Sequence, residues 1–191
     1  MDRISAYLHD HQREHREWMT ALCRIPSIST KPEHKDDCVA AARWTRDLCT
    51  RIGLKAEVHA TGGHPLVYAE HCQAAGAPTF LVYGHLDVQP EGDLSLWDAG
   101  PFEPVEKDGL LVCRGAADDK GQVLIHLRAV AAWLAVLIRS PRAAWIALGG
   151  AVLGVINAHA TALLEQDAAG VHADTTQLAN ERLGNRIVRQ G

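Results

Sequence analysis

Residues 79–88 read TFLVYGHLDV, and this stretch decides how the fold is interpreted. Its first part, Thr79 to Tyr83, is a continuous apolar run that ends at Gly84, a pattern typical of a buried parallel strand. His85 and Asp87 follow directly, and the carboxyl ends of strands are where open α/β sheets bind ligands. A neutral imidazole there can hold zinc while the nearby carboxylate accepts its other ring N–H. By itself, however, the pattern fits a structural histidine equally well.

The flanking sequence alternates helical and strand patterns, which predicts an α/β domain. Apolar residues recur between Ile4 and Leu22 at spacings of three and four, as on one face of an amphipathic helix. A second helix is predicted to start at Asp36 or Asp37 and to end at Gly53. The remaining predicted elements are strands at Lys55–His59 and Leu66–His71, a turn at residues 76–78, a hairpin turn at Asp108-Gly109 and a buried helix over Val123–Val136.

Composition and charge exclude several classes of function. The length of 191 residues suits one globular domain, and the net charge of -4 provides no basic field for nucleic acid. The N-terminal residues include no apolar segment of a secretory signal, so a cytoplasmic location is expected. Five cysteines are scattered without a C-x-x-C spacing. This distribution favours buried, reduced thiols over a disulfide framework or a cysteine-rich zinc site.

A second acidic cluster stands at residues 116–121, which read AADDKG before an apolar helical stretch. Asp119 is well placed to cap that helix, since aspartate is favoured at helix N-termini. Asp118 is harder to explain in this way, because adjacent carboxylates repel each other unless a cation or a helix terminus offsets their charge. The cluster therefore points to a second possible metal-binding position.

These two segments belong to a longer pattern that resembles the zinc-dependent aminoacylase and dipeptidase family, which includes carnosine-type dipeptidases and bacterial glutamate carboxypeptidases. The matching motifs are RIPSIS at residues 24–29, HLDVQP at 85–90, Trp97, Pro101-Phe102, Asp108-Gly109 and RGAADDKG at 114–121. The resemblance implies that residues 1–136 are the N-terminal part of a zinc-peptidase catalytic domain, a mixed sheet flanked by helices. It also implies hydrolysis of the amide bond of a dipeptide or an N-acyl amino acid.

Site residues follow from the resemblance position by position. His85 would bind one metal ion, Asp118 would bridge two, and Asp87 would orient His85 as the carboxylate behind it. The implied cofactors are two divalent ions, zinc by expectation and manganese or cobalt as alternatives. A cis peptide bond between Asp118 and Asp119 is also implied. Cys113 departs from the family, which usually has glycine there, and could perturb the approach to Asp118.

The rest of the implied site is missing from the sequence. The family requires a glutamate base and three further metal ligands, yet no Asp or Glu occurs between Asp119 and Glu165. The family's lid domain has no counterpart either. Residues 137–191 are interpreted as an unassigned, divergent and mostly helical tail, with Ala143–Leu164 as its principal helix. An inactive fragment or pseudoenzyme therefore stays open as an alternative.

Two weaker signals complete the interpretation. Residues 11–15 match the H-x-x-E-H zinc motif, but His11 and His15 share a face with Leu8 and Trp18, which favours packing. Ala143–Leu164 carries no formal charge and contains a G-x-x-x-G spacing. Its polar residues and many alanines favour a buried or aggregation-prone helix over a membrane span. A membrane-tethered interaction protein is kept as a further alternative.

Overall fold

The computed structural model describes residues 2–72, 79–137 and 151–156. The helices and strands follow one another in mixed order, and short 3-10 turns occur at Pro32–His34 and Leu94–Leu96. The helices are α1 (Asp2–Asp10), α2 (Gln12–Cys23), α3 (Lys35–Arg51) and α4 (Lys120–Leu137). The strands are β1 (Lys55–His59), β2 (Leu66–His71), β3 (Phe80–Gly84), β4 (Val105–Lys107), β5 (Leu110–Val112) and β6 (Ala151–Ile156).

A four-stranded mixed sheet has the order β1-β2-β6-β3. Strands β1 and β2 are antiparallel with Lys55 opposite Glu70, while β6 runs antiparallel to β2 and parallel to β3. The expected α/β class with a mixed sheet is confirmed. Strands β4 and β5 form a separate hairpin, in which Asp108 and Gly109 take the left-handed φ values of 53° and 75° that a two-residue hairpin loop requires.

The first predicted helix is divided in two at His11. The His11 backbone has φ −101° and ψ 13°, and the His11 imidazole Nδ1 contacts the Tyr7 carbonyl at 2.8 Å. Backbone hydrogen bonds still run from His11 to Tyr7 and from His15 to His11, so the apolar face continues across the break. His15, Trp18 and Leu22 are buried on this face, which agrees with the packing interpretation of residues 11–15.

Helix α3 ends at Arg51 with Ile52 as its C-cap, so the predicted cap residue, Gly53, lies one position later. Gly53 has φ +100°, a conformation that glycine adopts without a Cβ penalty. The Leu54 N–H donates to the Cys49 carbonyl at 2.9 Å and the Gly53 N–H to the Thr50 carbonyl at 3.1 Å. This pair of bonds satisfies carbonyls that the helix end leaves open and directs the chain into β1.

The prediction for β3 is correct in direction and wrong in burial. The strand is parallel to β6, but Phe80, Leu81 and Tyr83 are 65%, 72% and 55% exposed. Within the described residues β3 is the last strand of the sheet, and α4 approaches it near Gly84. An apolar run indicates burial on both faces only when other elements cover them.

The helical prediction for Ala143–Leu164 is wrong where the structure describes it. Ala151–Ile156 form β6, and this strand lies between β2 and β3. The segment AVLGVI contains β-branched residues, and two strands with open hydrogen-bonding edges lie beside it, so pairing decides its structure. Residues 143–150, 157–164 and the turn at 76–78 lie outside the described part. The domain boundary at residue 136 stays a prediction.

The main core lies where α2, α3 and α4 pack on the sheet. Its buried members include Leu22, Leu48, Val67, Leu86 and Leu127. Helix α4 starts three residues earlier than predicted and buries one face, while Ile125 and Trp133 on it are 50% and 42% exposed. Among the described residues, no helix combines the length and hydropathy needed to cross a membrane.

Candidate metal centre

The end of β3 and the start of α4 meet at Gly84. A Cβ at this position would lie 2.5 Å from Val123 Cγ2 and 2.9 Å from Asp119 Oδ2, so a larger residue would push the two segments apart. The close approach lets the His85 backbone N–H donate to Asp119 Oδ2 at 3.1 Å. Asp119 therefore fixes the strand end, a role beyond the helix cap expected from the sequence.

His85, Asp87 and Asp118 come together beside this junction. His85 Nε2 lies 3.0 Å from Asp118 Oδ1, and His85 Nδ1 lies 3.2 Å from Asp87 Oδ1. The peptide bond between Asp118 and Asp119 is cis, as the resemblance implies. From the family resemblance we expected Asp118 at the carboxyl end of a strand next to β3, but it does not follow a strand of the main sheet. It lies instead on the segment between β5 and α4.

Asp87 is held in place by the loop that follows α2. Ser29 Oγ donates to Asp87 Oδ2 at 2.6 Å, and Ser27 Oγ donates to the Leu86 carbonyl at 2.6 Å. Ile28 and Val88 form a parallel β-bridge, which aligns the two segments. These serines were not singled out in the sequence, although they lie in the RIPSIS motif. Their contacts leave the Asp87 carboxylate with a defined orientation toward His85.

The charges of the cluster shift its pKa values in opposite directions. Burial alone would lower the pKa of His85, but hydrogen bonds with Asp118 and Asp87 and their negative charges raise it to about 10. The hydrogen bond with His85 holds the pKa of Asp118 below its usual value, against the effect of burial. Burial raises the pKa of Asp119. Asp118 and His85 thus favour their charged forms when they face each other.

The other motif residues hold the loops around the cluster. The guanidinium of Arg114 lies 5.3 Å from the centre of the Trp97 ring and donates to the Glu91 carbonyl at 3.2 Å. Trp97 Nε1 donates to the same carbonyl at 3.0 Å, and the Arg114 backbone N–H donates to the Pro101 carbonyl at 2.7 Å. These residues of the pattern therefore serve structure, since they connect the loop after Pro90 with the segment that carries Asp118.

Lys120 anchors the same segment from the opposite side. It is fully buried, and its ammonium donates to the carbonyls of Leu22 at 3.1 Å and Ile25 at 2.7 Å. Burial lowers the pKa of Lys120 to about 8. The sequence indicates no reason for a buried lysine at the start of a helix, apart from its place in the DDKG motif. Its position ties α4 to the end of α2.

Cys113, the departure from the family pattern, does not point toward Asp118. Its buried side chain packs with Cys23 and Ala116, and Met19 covers this small cluster. Of the five cysteines predicted to be buried, Cys72 is exposed and the others are buried.

The chemistry of His85 and Asp118 fits a divalent cation in part. An imidazole nitrogen and a carboxylate oxygen are donors that zinc accepts, and Asp87 supplies the carboxylate that a metal-binding histidine usually has behind it. Within the described residues, no group of three or more His, Cys, Asp or Glu side chains is placed to hold a metal ion. The cluster therefore resembles one part of a coordination shell.

Comparisons with known proteins agree with this arrangement. Residues 81–151 match peptidase family M20/M25/M40, so the match runs past the limit at residue 136 that the motifs suggested. The succinyl-diaminopimelate desuccinylase of Bordetella pertussis is 35% identical over 112 residues, which cover 59% of this chain and 29% of that protein. The cysteinylglycine-S-conjugate dipeptidase of Corynebacterium striatum is 38% identical over 105 residues, which cover 54% of this chain and 23% of that protein.

The fold of the chain is also shared with solved structures. Human carnosine dipeptidase 1 superimposes with a TM-score of 0.69 and 26% identity over 81% of this chain and 34% of its own. The chain spans less than a third of the length of the desuccinylase and of the cysteinylglycine-S-conjugate dipeptidase named above. Together, the motifs, the match over residues 81–151 and the fold make this chain similar to members of peptidase family M20/M25/M40.

Proposed function

We propose that this chain carries one part of a metal-dependent amidohydrolase site for dipeptides or N-acyl amino acids. With this part alone, the chain would hydrolyse such substrates at a negligible rate. The observation that carries the proposal is the approach of His85 Nε2 to Asp118 Oδ1 at 3.0 Å, with Asp87 behind the imidazole. Names of similar proteins, a desuccinylase and dipeptidases, support a small peptide or acyl amino acid as substrate. A cytoplasmic location stays a prediction.

In this proposal each residue has a defined task. His85 and Asp118 would hold a divalent cation, which when bound would polarise the substrate carbonyl as a Lewis acid. Asp87 orients the imidazole, because its backbone carbonyl lies 3.1 Å and its carboxylate Oδ1 3.2 Å from His85 Nδ1. Ser29 fixes the Asp87 carboxylate by donating to its other oxygen at 2.6 Å. According to the resemblance, Asp118 would bridge this ion and a second one. Zinc is the expected metal, with manganese and cobalt as alternatives.

The proposal of negligible turnover comes from the sequence after Asp119. No carboxylate occurs before Glu165, so the glutamate base implied by the family has no candidate at its expected place. Loss of a general base alone lowers a rate by about 10²–10⁴-fold. Two donors also leave a four-coordinate zinc shell incomplete, so weak metal affinity is expected. An inactive fragment or pseudoenzyme is the alternative in which this weak affinity is all that remains.

Metal binding tests the site assignment separately from activity. We expect calorimetric titration of the full chain with zinc to show weak binding that Asp118→Ala removes. The matched control is Asp98→Ala, which removes an exposed carboxylate paired with Lys107 on the surface. Zinc binding that is equal in both variants would reject His85 and Asp118 as ligands, and circular dichroism would verify that both variants are folded.

Hydrolysis tests the proposed incompleteness. The chain, with zinc or manganese in excess, is incubated with a panel of dipeptides and N-succinyl amino acids, and free amine is measured. We expect release at the rate of the buffer blank. Turnover above the blank that disappears in Asp118→Ala would contradict the proposal, since another residue of this chain, or a second copy, would then supply the base.

A further inference from the structure

The loop between β1 and β2 reaches the segment that lies behind the metal cluster. His64 belongs to this loop, and its imidazole Nε2 lies 2.9 Å from the Ser29 backbone carbonyl, although 35 positions separate the two residues. Because a carbonyl oxygen can only accept, Nε2 carries the proton and donates it to this contact. The imidazole therefore ties the turn after β1 to the RIPSIS motif at residues 24–29.

The loop itself holds His64 in a defined place. Thr61 Oγ1 accepts from the Gly63 backbone N–H at 3.0 Å and donates to the His64 carbonyl at 2.7 Å, as serine and threonine hydroxyls do in tight turns. The antiparallel pairing of β1 with β2 begins at His59 opposite Leu66, so the ladder closes the loop at both ends. The partly buried imidazole is thus presented to Ser29 by a short, braced loop.

Ser29 continues this connection to the metal cluster. Its Oγ donates to Asp87 Oδ2 at 2.6 Å, and Asp87 Oδ1 lies 3.2 Å from His85 Nδ1. Asp87 is only 6% exposed, so water is poorly placed to replace the serine hydroxyl. The carbonyl that His64 holds and the hydroxyl that holds Asp87 belong to one residue, so a shift of the Ser29 backbone would move both. The series of contacts that starts at His64 thus continues to the His85 imidazole.

We propose that His64 is a positioning residue for the metal cluster, and that it acts through the Ser29 segment on the orientation of the His85 imidazole. The inference rests on the proposed function, in which His85 is a metal ligand, but the orientation of the imidazole can be measured without a metal ion. Groups behind a ligand change metal affinity without binding the ion themselves, because they fix the tautomer and the direction of the ligand. The motifs of the family resemblance do not include the loop that carries His64.

The expected effect on metal affinity is smaller than that of a direct partner of the ligand. Loss of a group that hydrogen-bonds a metal-binding histidine lowers metal affinity by about 10–100-fold. His64 lies beyond Asp87 and Ser29 in the series of contacts, so His64→Ala should raise the Kd for zinc by about 3–10-fold. His64→Gln should keep the Kd within about twofold of the wild type, because an amide N–H of glutamine can donate to the Ser29 carbonyl in place of Nε2.

NMR of the full chain without metal tests the proposal apart from the proposed function. Long-range proton–nitrogen correlation spectra report which imidazole nitrogen carries the proton and how its surroundings change. We expect His64 to carry its proton on Nε2. The ring signals of His85 should shift in His64→Ala and return toward those of the wild type in His64→Gln. His59→Ala is the matched control and should leave the His85 signals in place, since His59 is 49% exposed and contacts Glu57 on the same strand.

A double-mutant cycle tests the route through Ser29. Ser29→Ala removes the hydroxyl but keeps the backbone carbonyl that His64 contacts. In this background His64→Ala should change the His85 signals and the zinc Kd far less than it does in the wild type, because the connection to Asp87 is already broken.

Two results would overturn the proposal. One is a set of His85 signals that is the same in His64→Ala and in the wild type. The other is an equal effect of His64→Ala with and without the Ser29 hydroxyl. If the wild-type chain shows no zinc binding in calorimetry, the proposed function fails, and the NMR comparison still decides the role of His64. If His64→Ala fails to fold, His64→Asn takes its place, because its shorter side chain holds the amide away from the Ser29 carbonyl.

Discussion

The segment from Cys113 to Gly121 has an inner side and an outer side, which differ in how deeply their side chains are buried. On the inner side, Cys113, Ala116 and Lys120 are fully buried, and the lysine ammonium has two carbonyl partners. On the outer side, the Asp118 side chain is 55% exposed and the His85 side chain 32%. The inner side is fully buried and hydrogen-bonded, whereas the outer side is partly exposed, with Asp118 facing His85 at 3.0 Å and His85 also contacting Asp87.

This difference separates the two roles of one motif. Residues of the DDKG block that point inward stabilise the fold whether or not any catalysis takes place. Under the proposed function, those that point outward would act only together with further metal ligands. The fold around the motif therefore does not depend on the proposed chemistry.

The largest effect should come from the inner side. Lys120→Ala removes a completely buried stem and leaves a cavity, which should lower the free energy of unfolding by about 2–4 kcal/mol. Lys120→Met keeps the stem and should cost less than about 1.5 kcal/mol, because removing a buried charge offsets part of the lost hydrogen bonding. The Leu22 and Ile25 carbonyls would each still accept one backbone N–H. Urea unfolding of both variants measures the difference.

Lys107→Ala is the control for this pair, since Lys107 is 53% exposed and pairs with Asp98 on the surface. Its effect should stay below about 1 kcal/mol. Equal destabilisation by Lys120→Ala and Lys107→Ala would show that the buried contacts of Lys120 do not stabilise the fold more than an exposed lysine does.

A smaller effect is expected in acid, from the helix that anchors Lys120. Burial, with added repulsion from Arg128 and His11, lowers the pKa of His15 to about 4. The unfolded chain therefore binds a proton on His15 at a higher pH than the folded chain does. The contribution of neutral His15 to the free energy of unfolding is therefore fully present above about pH 6.5. The free energy of unfolding falls by at most about 3 kcal/mol as the pH drops toward 4.

The variant His15→Leu should remove this component of the acid sensitivity. Both ring nitrogens of His15 are buried with no hydrogen-bond partner in the described structure, so the apolar residue should be tolerated at neutral pH. His9→Gln, at a side chain that is 79% exposed, is the control and should keep the wild-type profile. Parallel stability curves for wild type and His15→Leu between pH 4 and 6.5 would argue against the prediction.

The smallest effect should come from the outer side. Asp118→Asn weakens the contact with His85, but the side chain is more than half exposed and solvent screens the pair. The free energy of unfolding should change by less than about 1 kcal/mol. A loss of several kcal/mol in urea unfolding would mean that Asp118 stabilises the fold and would weaken the distinction between the two sides.

Much of the local structure could be predicted from the sequence, because short-range signals decide it. The Asp108-Gly109 turn and the helix end at Gly53 depend on glycine conformation, and both occur as predicted. The strands β1 and β2 have the predicted bounds, because turn residues delimit them on both sides. The meeting of His85 with Asp118 was expected from the family resemblance and not from spacing alone.

The errors arose where partners distant in the sequence decide the outcome. Phe80 and Leu81 have the composition of a buried strand, but their exposure depends on which elements lie beside β3. Residues 151–156 have an ambiguous pattern that became a strand because β2 and β3 flank it. Ser29 carries no signal of its own, since a serine in a loop becomes significant only when Asp87 is seen to accept its hydrogen bond.

The position of β6 has a consequence for how the chain folds during synthesis. Strands β2 and β3 are consecutive in the sequence but do not pair with each other. Strand β6 lies between them and pairs with β2 over residues 151–156 and with β3 over residues 151–155. Until residues 151–156 leave the ribosome, the inner edges of β2 and β3 are unpaired. Such edges are templates for association with other chains. The pairing of residues 151–156 therefore closes two edges at once, and a chain without these residues would leave both edges open to association.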